Sequence, residues 1–477
     1  MKAPVSLAWH EFAHAHFGHW TRTTRVMQMW ERLSSHPSGT VSAVFEVPAE
    51  RKGAYRFLES PKVRWEPLAE AVHVATARRC SRHALVIGIV DGSSIAHTDR
   101  RGDDGVGSVG SRRMGGRGIK SMILLAASFD GVPLGVGAHV LWSRPDTAGT
   151  SDALRPLAEK ESRHWTGLQE EFESVLRAEG ADTRVWYQID REGDASHVLL
   201  RGVEPGQMVT VRSNKDRLVN ARTLRRGHLK LREAIASAPD LAAIYIEVPR
   251  GPKRTPRIAR LELRTVGVGF ELRALWSKKR LGEVHVTAVQ AREAGTCPDG
   301  EEPLDWLLLT TFPVHTLDDA IRVVRAYTQR WLIERLHYTW KTGTCGVESS
   351  QLESFDALCK WATLHLSVAA HRQHILHLSR TQPELPADEI FARDEMDAAL
   401  LLFKKHRKDA PALGSTPLLG TMVDIIARLG GYIGKSSGGP PGIKTFGRGM
   451  DRVADAAEVV AMLRANGHMP TSNDGFG

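Results

Sequence analysis

Three acidic residues carry the chemistry this sequence most plainly offers. Asp91 and Asp190 close two short β-branched runs, ALVIGIVD and RVWYQID, and the carboxyl ends of strands are where an α/β sheet usually displays functional side chains. A lone aspartate there is also a common turn or helix N-cap residue, so the pair needs a third group to decide between the two readings. Glu334 supplies it. It lies in YTQRWLIERLHYTWKTG, where Tyr327, Arg330, Glu334 and Lys341 keep the spacing Y-x2-R-x3-E-x6-K. On a 3.6-residue repeat the four share one stripe, so a glutamate is flanked by phenol, guanidinium and ammonium groups. The plain alternative is a solvated helix face with an i,i+4 pair from Arg330 to Glu334. A rival signal lies upstream: His10-Glu11-Phe12-Ala13-His14 is a literal HExxH, which on one helix offers zinc two imidazoles and a water-activating glutamate.

These residues need elements to hold them. Residues 5 to 80 read as helices, with Thr21 to Leu33 and Pro67 to Arg79 carrying apolar residues at three- and four-residue spacing. From Ala84 the period changes, and ALVIGIVD, IKSMILLAASF and VPLGVGAHVLW read as three consecutive strands, the last two joined by the hairpin signal Asp130-Gly131. A polar helix is expected around Leu154 to Ala178, followed by the strand RVWYQID, another helix, and a fifth strand, QMVTVRS, ending at Ser213. Asn214 to Pro303 reads as short strands with two basic clusters, Arg222, Arg225, Arg226, Lys230 and Arg232, then Arg250, Lys253, Arg254, Arg257 and Arg260, and so as an inserted basic, β-rich unit. DWLLLTT leads into a helix from about Leu317 to Lys341. The remainder is mainly helical, including Phe355 to Leu378 and Leu418 to Leu429, with SSGGPPG at 436–442 as a loop.

At roughly 150 residues per domain, 477 residues suggest about three domains with substantial cores. Hydrophobic residues at 42% and charged residues at 25% exclude a disordered chain. Apolar stretches such as Met122 to Ala127 fall far short of the ~20 residues of a membrane span, and MKAPVSLAWHE lacks a signal-peptide apolar core. The expectation is an unsecreted protein with no membrane partner. Cys80, Cys297, Cys345 and Cys359 show neither paired spacing nor a CxxC, which removes a disulfide framework and a zinc knuckle and fits a reducing compartment. A net charge of +9 favours a polyanionic partner.

The sequence resembles the DDE transposases of the insertion-sequence-four group, whose Tyr-Arg-Glu-Lys signature is matched in full by Tyr327, Arg330, Glu334 and Lys341. GAYRF at 53–57, EKES at 159–162, DRE at 190–192, VRS at 211–213, WLLLT at 306–310 and ARLGG at 427–431 resemble the same group, in order across almost the whole chain. The resemblance implies an α/β fold: a ribonuclease-H-like catalytic core with a β-rich insertion, flanked by N-terminal and C-terminal helical domains. Residues 1–80 would bind DNA ends, 81–213 and 305–375 would form the two parts of the core, 214–304 the insertion, and 376–477 a dimerisation region. It implies Asp91, Asp190 and Glu334 as catalytic, metal-holding carboxylates. The physical reason is that three clustered anions repel one another unless divalent cations sit among them, and all-oxygen ligands select Mg2+, with Mn2+ as a substitute. Two such ions ~3.5–4 Å apart can activate a water or a DNA 3′-hydroxyl and steady the leaving oxygen, so one site would serve both cleavage and joining.

By the same resemblance Tyr327, Arg330 and Lys341 would hold phosphates beside the scissile one, Trp306 and Trp331 would stack on bases at the transposon end, and Arg212 would lie near the DNA. The plain alternative for the tryptophans is core packing. The implied partners are double-stranded DNA, as terminal repeats and as target, and a second copy of the chain in a synaptic homodimer. The setting would be a bacterial cytoplasm, on the nucleoid when bound. Two residues depart from the group's pattern: Gly92 stands where threonine is common, which could loosen the backbone at Asp91, and Lys120 where a loop histidine is usual, which could change a phosphate contact. Neither removes a metal ligand. Two rival functions remain. A zinc peptidase would need the longer HExxH motif, but Phe17 and Trp20 stand where it requires a glycine and a third histidine, and with His16 and His19 nearby the string reads better as a histidine-rich helix of a DNA-binding module. A catalytically silent DNA-binding inhibitor or domesticated relative would have lost a carboxylate first, and all three are present.

Overall fold

A computed structural model describes residues 7–98, 105–110, 116–144, 155–220, 229–248, 254–274, 277, 279–404, 411–434 and 439–468. Of the basic positions singled out above, Arg222, Arg225, Arg226, Arg250 and Lys253 lie outside them, as does part of SSGGPPG.

Five helices come first: α1 (Leu7–Phe12), α2 (Trp20–Ser35), α3 (Val41–Val44), α4 (Pro48–Leu58) and α5 (Trp65–Cys80). The helical spacing has its expected effect in α2, where Val26, Met29, Trp30 and Leu33 form the buried stripe. The strands follow as β1 (Leu85–Ala96), β2 (Gly107–Ser108), β3 (Arg117–Ser128), β4 (Pro133–Trp142), β5 (Arg184–Ile189), β6 (Met208–Arg212), β7 (Asp240–Val248), β8 (Arg257–Arg273), β9 (Arg280–Glu293) and β10 (Asp305–Thr310). Between them run α6 (His164–Ala178), α7 (Ser196–Gly202) and α8 (Leu231–Ala236). The chain continues through α9 (Leu317–Thr328), α10 (Trp331–Lys341), α11 (Phe355–Thr381), α12 (Arg393–Lys404), α13 (Leu419–Leu429) and α14 (Ile443–Ala465).

The ten strands of the described residues all join one sheet. Its first half runs β4-β3-β1-β5-β6, antiparallel across β4, β3 and β1 and parallel across β1, β5 and β6, which is the expected ribonuclease-H-like arrangement. Along β1 the side chains alternate: Ile87 and Ile89 enter a core shared with the N-terminal helices and α11, while Val86 and Val90 enter the core beneath α6. Both faces of the central strand are therefore covered, which is why its sequence is apolar throughout. A separate core holds α12, α13 and α14 together.

The segment between Asn214 and Pro303 differs from its expectation of short strands. β8 has 17 residues and β9 has 14, paired as one long antiparallel hairpin whose register runs from Leu261 opposite Glu293 to Arg273 opposite Arg280. β9 pairs with β10, and β10 with β6, so these strands extend the central sheet. The expected helix from Leu317 to Lys341 is also two helices. Gln329 and Arg330 hydrogen-bond three residues back, to Ala326 and Tyr327, and Leu332 does the same to Gln329, so the i to i−4 ladder is interrupted between α9 and α10. Among the described residues no helix is long and apolar enough to cross a membrane.

Candidate active site

β1 and β5 pair in parallel from Leu85 opposite Arg184 to Val90 opposite Ile189, and the next residues are Asp91 and Asp190. β5 ends there. Asp190 caps a short 3-10 turn, its Oδ1 accepting the Glu192 amide at 2.7 Å. β1 does not end: it continues to Ala96 beside β3, with Asp91 opposite Ile123. Asp91 is thus a mid-strand residue and not the strand-end residue expected from ALVIGIVD, because the antiparallel partner outlasts the parallel one. Burial and the Asp190 charge push the Asp91 carboxyl up to about 7, with Glu334 adding to the rise and Arg330 and the Gly92 amide opposing it. That amide donates to Asp91 Oδ1 at 2.8 Å. A Cβ on Gly92 would meet nothing closer than 3.7 Å, so nothing in the structure requires glycine there.

The break before α10 divides the predicted stripe. Tyr327 lies in the last turn of α9, Arg330 caps α10, Glu334 sits in its first turn and Lys341 at its end. Arg330 reaches the sheet: its Nη1 is 3.7 Å from Asp91 Oδ2, and its Nη2 donates a hydrogen bond to Glu334 Oε1. One guanidinium therefore stands between carboxylates from two distant elements. Tyr327 is buried beside it, and burial pushes its phenol up against the opposing pull of Arg330 and Arg212. Lys341 Nζ is 3.5 Å from Glu348 Oε1, an oxygen that also accepts the Ala96 amide at 3.1 Å. Glu348, which no sequence pattern had marked, so links the end of β1 to the end of α10. Lys120 on β3 faces the same basin: burial, then Arg144, lowers its ammonium pKa, with Glu161, Glu192 and Lys341 also acting on it.

Trp306 on β10 is only 4% exposed. Its ring meets Tyr327 edge to face at 5.5 Å between centroids and Trp331 at 6.2 Å. Trp331 is half-buried, and the Arg254 guanidinium lies 5.8 Å from its ring centroid, so the basic insertion reaches the site through this residue. Arg212 donates to the Asp305 carbonyl at 3.1 Å. Arg257 is committed elsewhere, to Glu293 at 2.8 Å and Glu301 at 2.7 Å.

The donor set fits a hard divalent cation: it is all oxygen, and Asp190 and Glu334 both repel the charged form of Asp91. Among the described residues no three His, Cys, Asp or Glu side chains already converge on one point, since Glu334 is turned to Arg330. The HExxH string does not build a zinc site either. α1 ends at Phe12, so His14 lies beyond the helix and its Nε2 bonds the Ala71 carbonyl at 3.1 Å. Glu11 is buried against Arg79 and Ser367, where it ties α1 to α5 and α11.

Comparison with protein families gives three matches in chain order. Residues 5–63 match a transposase DNA-binding domain, residues 154–369 a transposase DDE domain, and residues 367–468 the Tn5 transposase dimerisation domain. The DDE match spans Asp190, Glu334 and the whole Tyr327–Lys341 string, while Asp91 precedes it.

Proposed function

Starting from a chain that belongs to the DDE transposases and resembles the transposase of Tn5, we propose that it works by cut and paste: it binds the terminal repeats of its element, nicks and excises it, and joins the 3′-hydroxyl ends to target DNA. DNA binding, divalent-metal dependence and homodimer formation come with the family; the rest of this reading is built from the site. Residues 1–80 bind the ends, 81–213 with 305–375 form the core around the 214–304 insertion, and 376–477 pair two copies, acting in the cytoplasm on nucleoid DNA.

Asp91, Asp190 and Glu334 would hold two Mg2+, or Mn2+ in substitution, and ions bound there would lower the pKa of the attacking water or 3′-hydroxyl and steady the leaving oxygen of an in-line displacement. Before DNA arrives, Arg330 screens Asp91 and Glu334 from each other. With DNA present its fork suits a backbone phosphate, which frees Glu334 to join the other two carboxylates. Lys341 offers a second phosphate a compact charge, and Tyr327 lies beside Arg330 as a further polar contact. Trp331, half-open and backed by the buried Trp306, offers an unstacked base a ring face, and Arg212 borders the same wall. The observation carrying this reading is that Asp91 and Asp190 leave adjacent strands at one level while Arg330 links Asp91 to Glu334.

Asp91→Ala, Asp190→Ala and Glu334→Ala are each expected to remove Mg2+-dependent nicking of a plasmid carrying the element while leaving binding to its ends within a few-fold, because ligands of this kind serve the transition state and basic surfaces serve affinity. Nicking retained by one variant would take that residue out of the set. Wild-type protein that binds ends but nicks in neither Mg2+ nor Mn2+ would instead indicate a silent DNA-binding relative.

A further inference from the structure

His337 sits on α10 one turn after Glu334 and one turn before Lys341, so it shares their face. Its Nε2 is buried and has no hydrogen-bond partner among the described residues. A buried polar nitrogen left unpaired is costly, and a bound partner is one explanation for such a group. The charged groups acting on the ring are Lys341 and Arg330, the two cations that flank it along the helix. Burial first, and then these two cations, hold its pKa down to about 3, so the imidazole is uncharged near neutral pH and presents one N–H. A third cation in that position would be repelled by its neighbours, whereas a neutral donor adds a hydrogen bond to an anion without that repulsion. The Trp306–Trp331 pair and the Glu348 link leave this nitrogen unaccounted for.

We propose that His337 touches the substrate itself: its Nε2, covered in the free protein, is uncovered as DNA seats along α10 and, in the Nε2–H tautomer, donates to a backbone phosphate oxygen of the DNA strand, between the phosphates taken by Arg330 and Lys341. This rests on the reading that α10 lies along the DNA backbone. His337 is then a contact residue that sets the position of the strand over the carboxylates.

The test uses the full chain and a synthetic duplex of the element's own terminal repeat, with one uncharged methylphosphonate linkage placed in turn at each position around the scissile bond. His337→Phe, which keeps a ring and loses the donor, is expected to nick the unmodified duplex about tenfold more slowly or worse, the loss expected for one hydrogen bond to a charged acceptor. His337→Gln, which restores a neutral N–H, should recover most of that rate. At one linkage the wild type should be slowed by the methylphosphonate and His337→Phe should not, because the contact is already gone. Wild-type nicking by His337→Phe, or unchanged sensitivity at every linkage, would overturn the proposal and leave the ring as packing. If His337→Phe fails to fold by circular dichroism, His337→Leu takes its place in the same comparison. Arg330→Gln and Lys341→Gln are measured in parallel: if both also nick normally, the placement of α10 along the DNA fails, whereas if both are impaired and the His337 variants are not, only the present proposal falls.

Discussion

Asp91 and Asp190 stand at the same level because Val90 and Ile189 are the last residues that β1 and β5 pair in parallel. Burial first, and then the Asp190 charge, push the Asp91 carboxyl up to about 7 from an ordinary 3.8.

The sign of the resulting pH dependence is fixed. In the metal-free protein the folded state keeps a proton on Asp91 that the unfolded chain releases near pH 4, so this stabilisation is complete below that pH and is lost as pH rises towards 7. Asp91→Asn mimics the protonated form. Its thermal midpoint without metal should match the wild type near pH 4 and exceed it by a growing margin up to pH 7, after which the gap stays constant. Mg2+ should reverse the order above pH 7 by stabilising only the wild type. A gap that does not change with pH would show that Asp91 is not strained.

Arg330 is the cation that opposes this strain, and its removal should show in the pH profile. Arg330→Gln is expected to slow nicking by about 10- to 150-fold, the range for loss of charged hydrogen bonds, and to move the acid limb of the nicking rate to higher pH, because Asp91 then holds its proton more tightly. Rates measured across pH 6 to 9 at fixed Mg2+ decide it; a slower enzyme with an unmoved profile would confine Arg330 to the phosphate.

The two tryptophans should behave differently. Trp306 is buried against Tyr327 and Trp331, so Trp306→Ala should cost about 3–5 kcal/mol of stability and lower every activity together. Trp331→Ala should leave the fold nearly intact and slow the step after first-strand nicking more than the nick, by roughly 5- to 150-fold for ~1–3 kcal/mol of lost base stacking. Following nicked and doubly cut DNA separately over time distinguishes them, and equal slowing of both products by Trp331→Ala would remove it from base stacking.

Arg254 and Arg257 are neighbours in a basic cluster with different employment. Arg257 is paired with Glu293 and Glu301, whereas Arg254 is exposed at the rim of the site over Trp331. Arg254→Gln should lower the log–log salt slope of DNA binding by ~0.9, one phosphate contact. Arg257→Gln should leave the slope unchanged and lower the thermal midpoint, since two half-buried carboxylates lose their shared partner. A salt slope reduced by Arg257→Gln would mean that it exchanges its glutamates for phosphate.

Much of this protein was legible in its sequence, because the decisive signals are local. Backbone period is read from neighbouring residues, so the β-branched runs around Asp91 and Asp190, the stripe of α2 and the Tyr327, Arg330, Glu334 and Lys341 spacing stood out without any knowledge of contacts. The tertiary structure decided what each residue meets across long stretches of chain. Register between strands remote in sequence leaves Asp91 in mid-strand level with Asp190, and the packing of α10 against β1 brings Arg330 beside that carboxylate. Packing between β10, α9 and α10 buries Trp306, and pairing with distant glutamates takes Arg257 out of the basic surface. Periodicity marks the face a side chain occupies. Its partner, its burial and the charge it carries depend on elements folded against it from elsewhere in the chain, which no local pattern records.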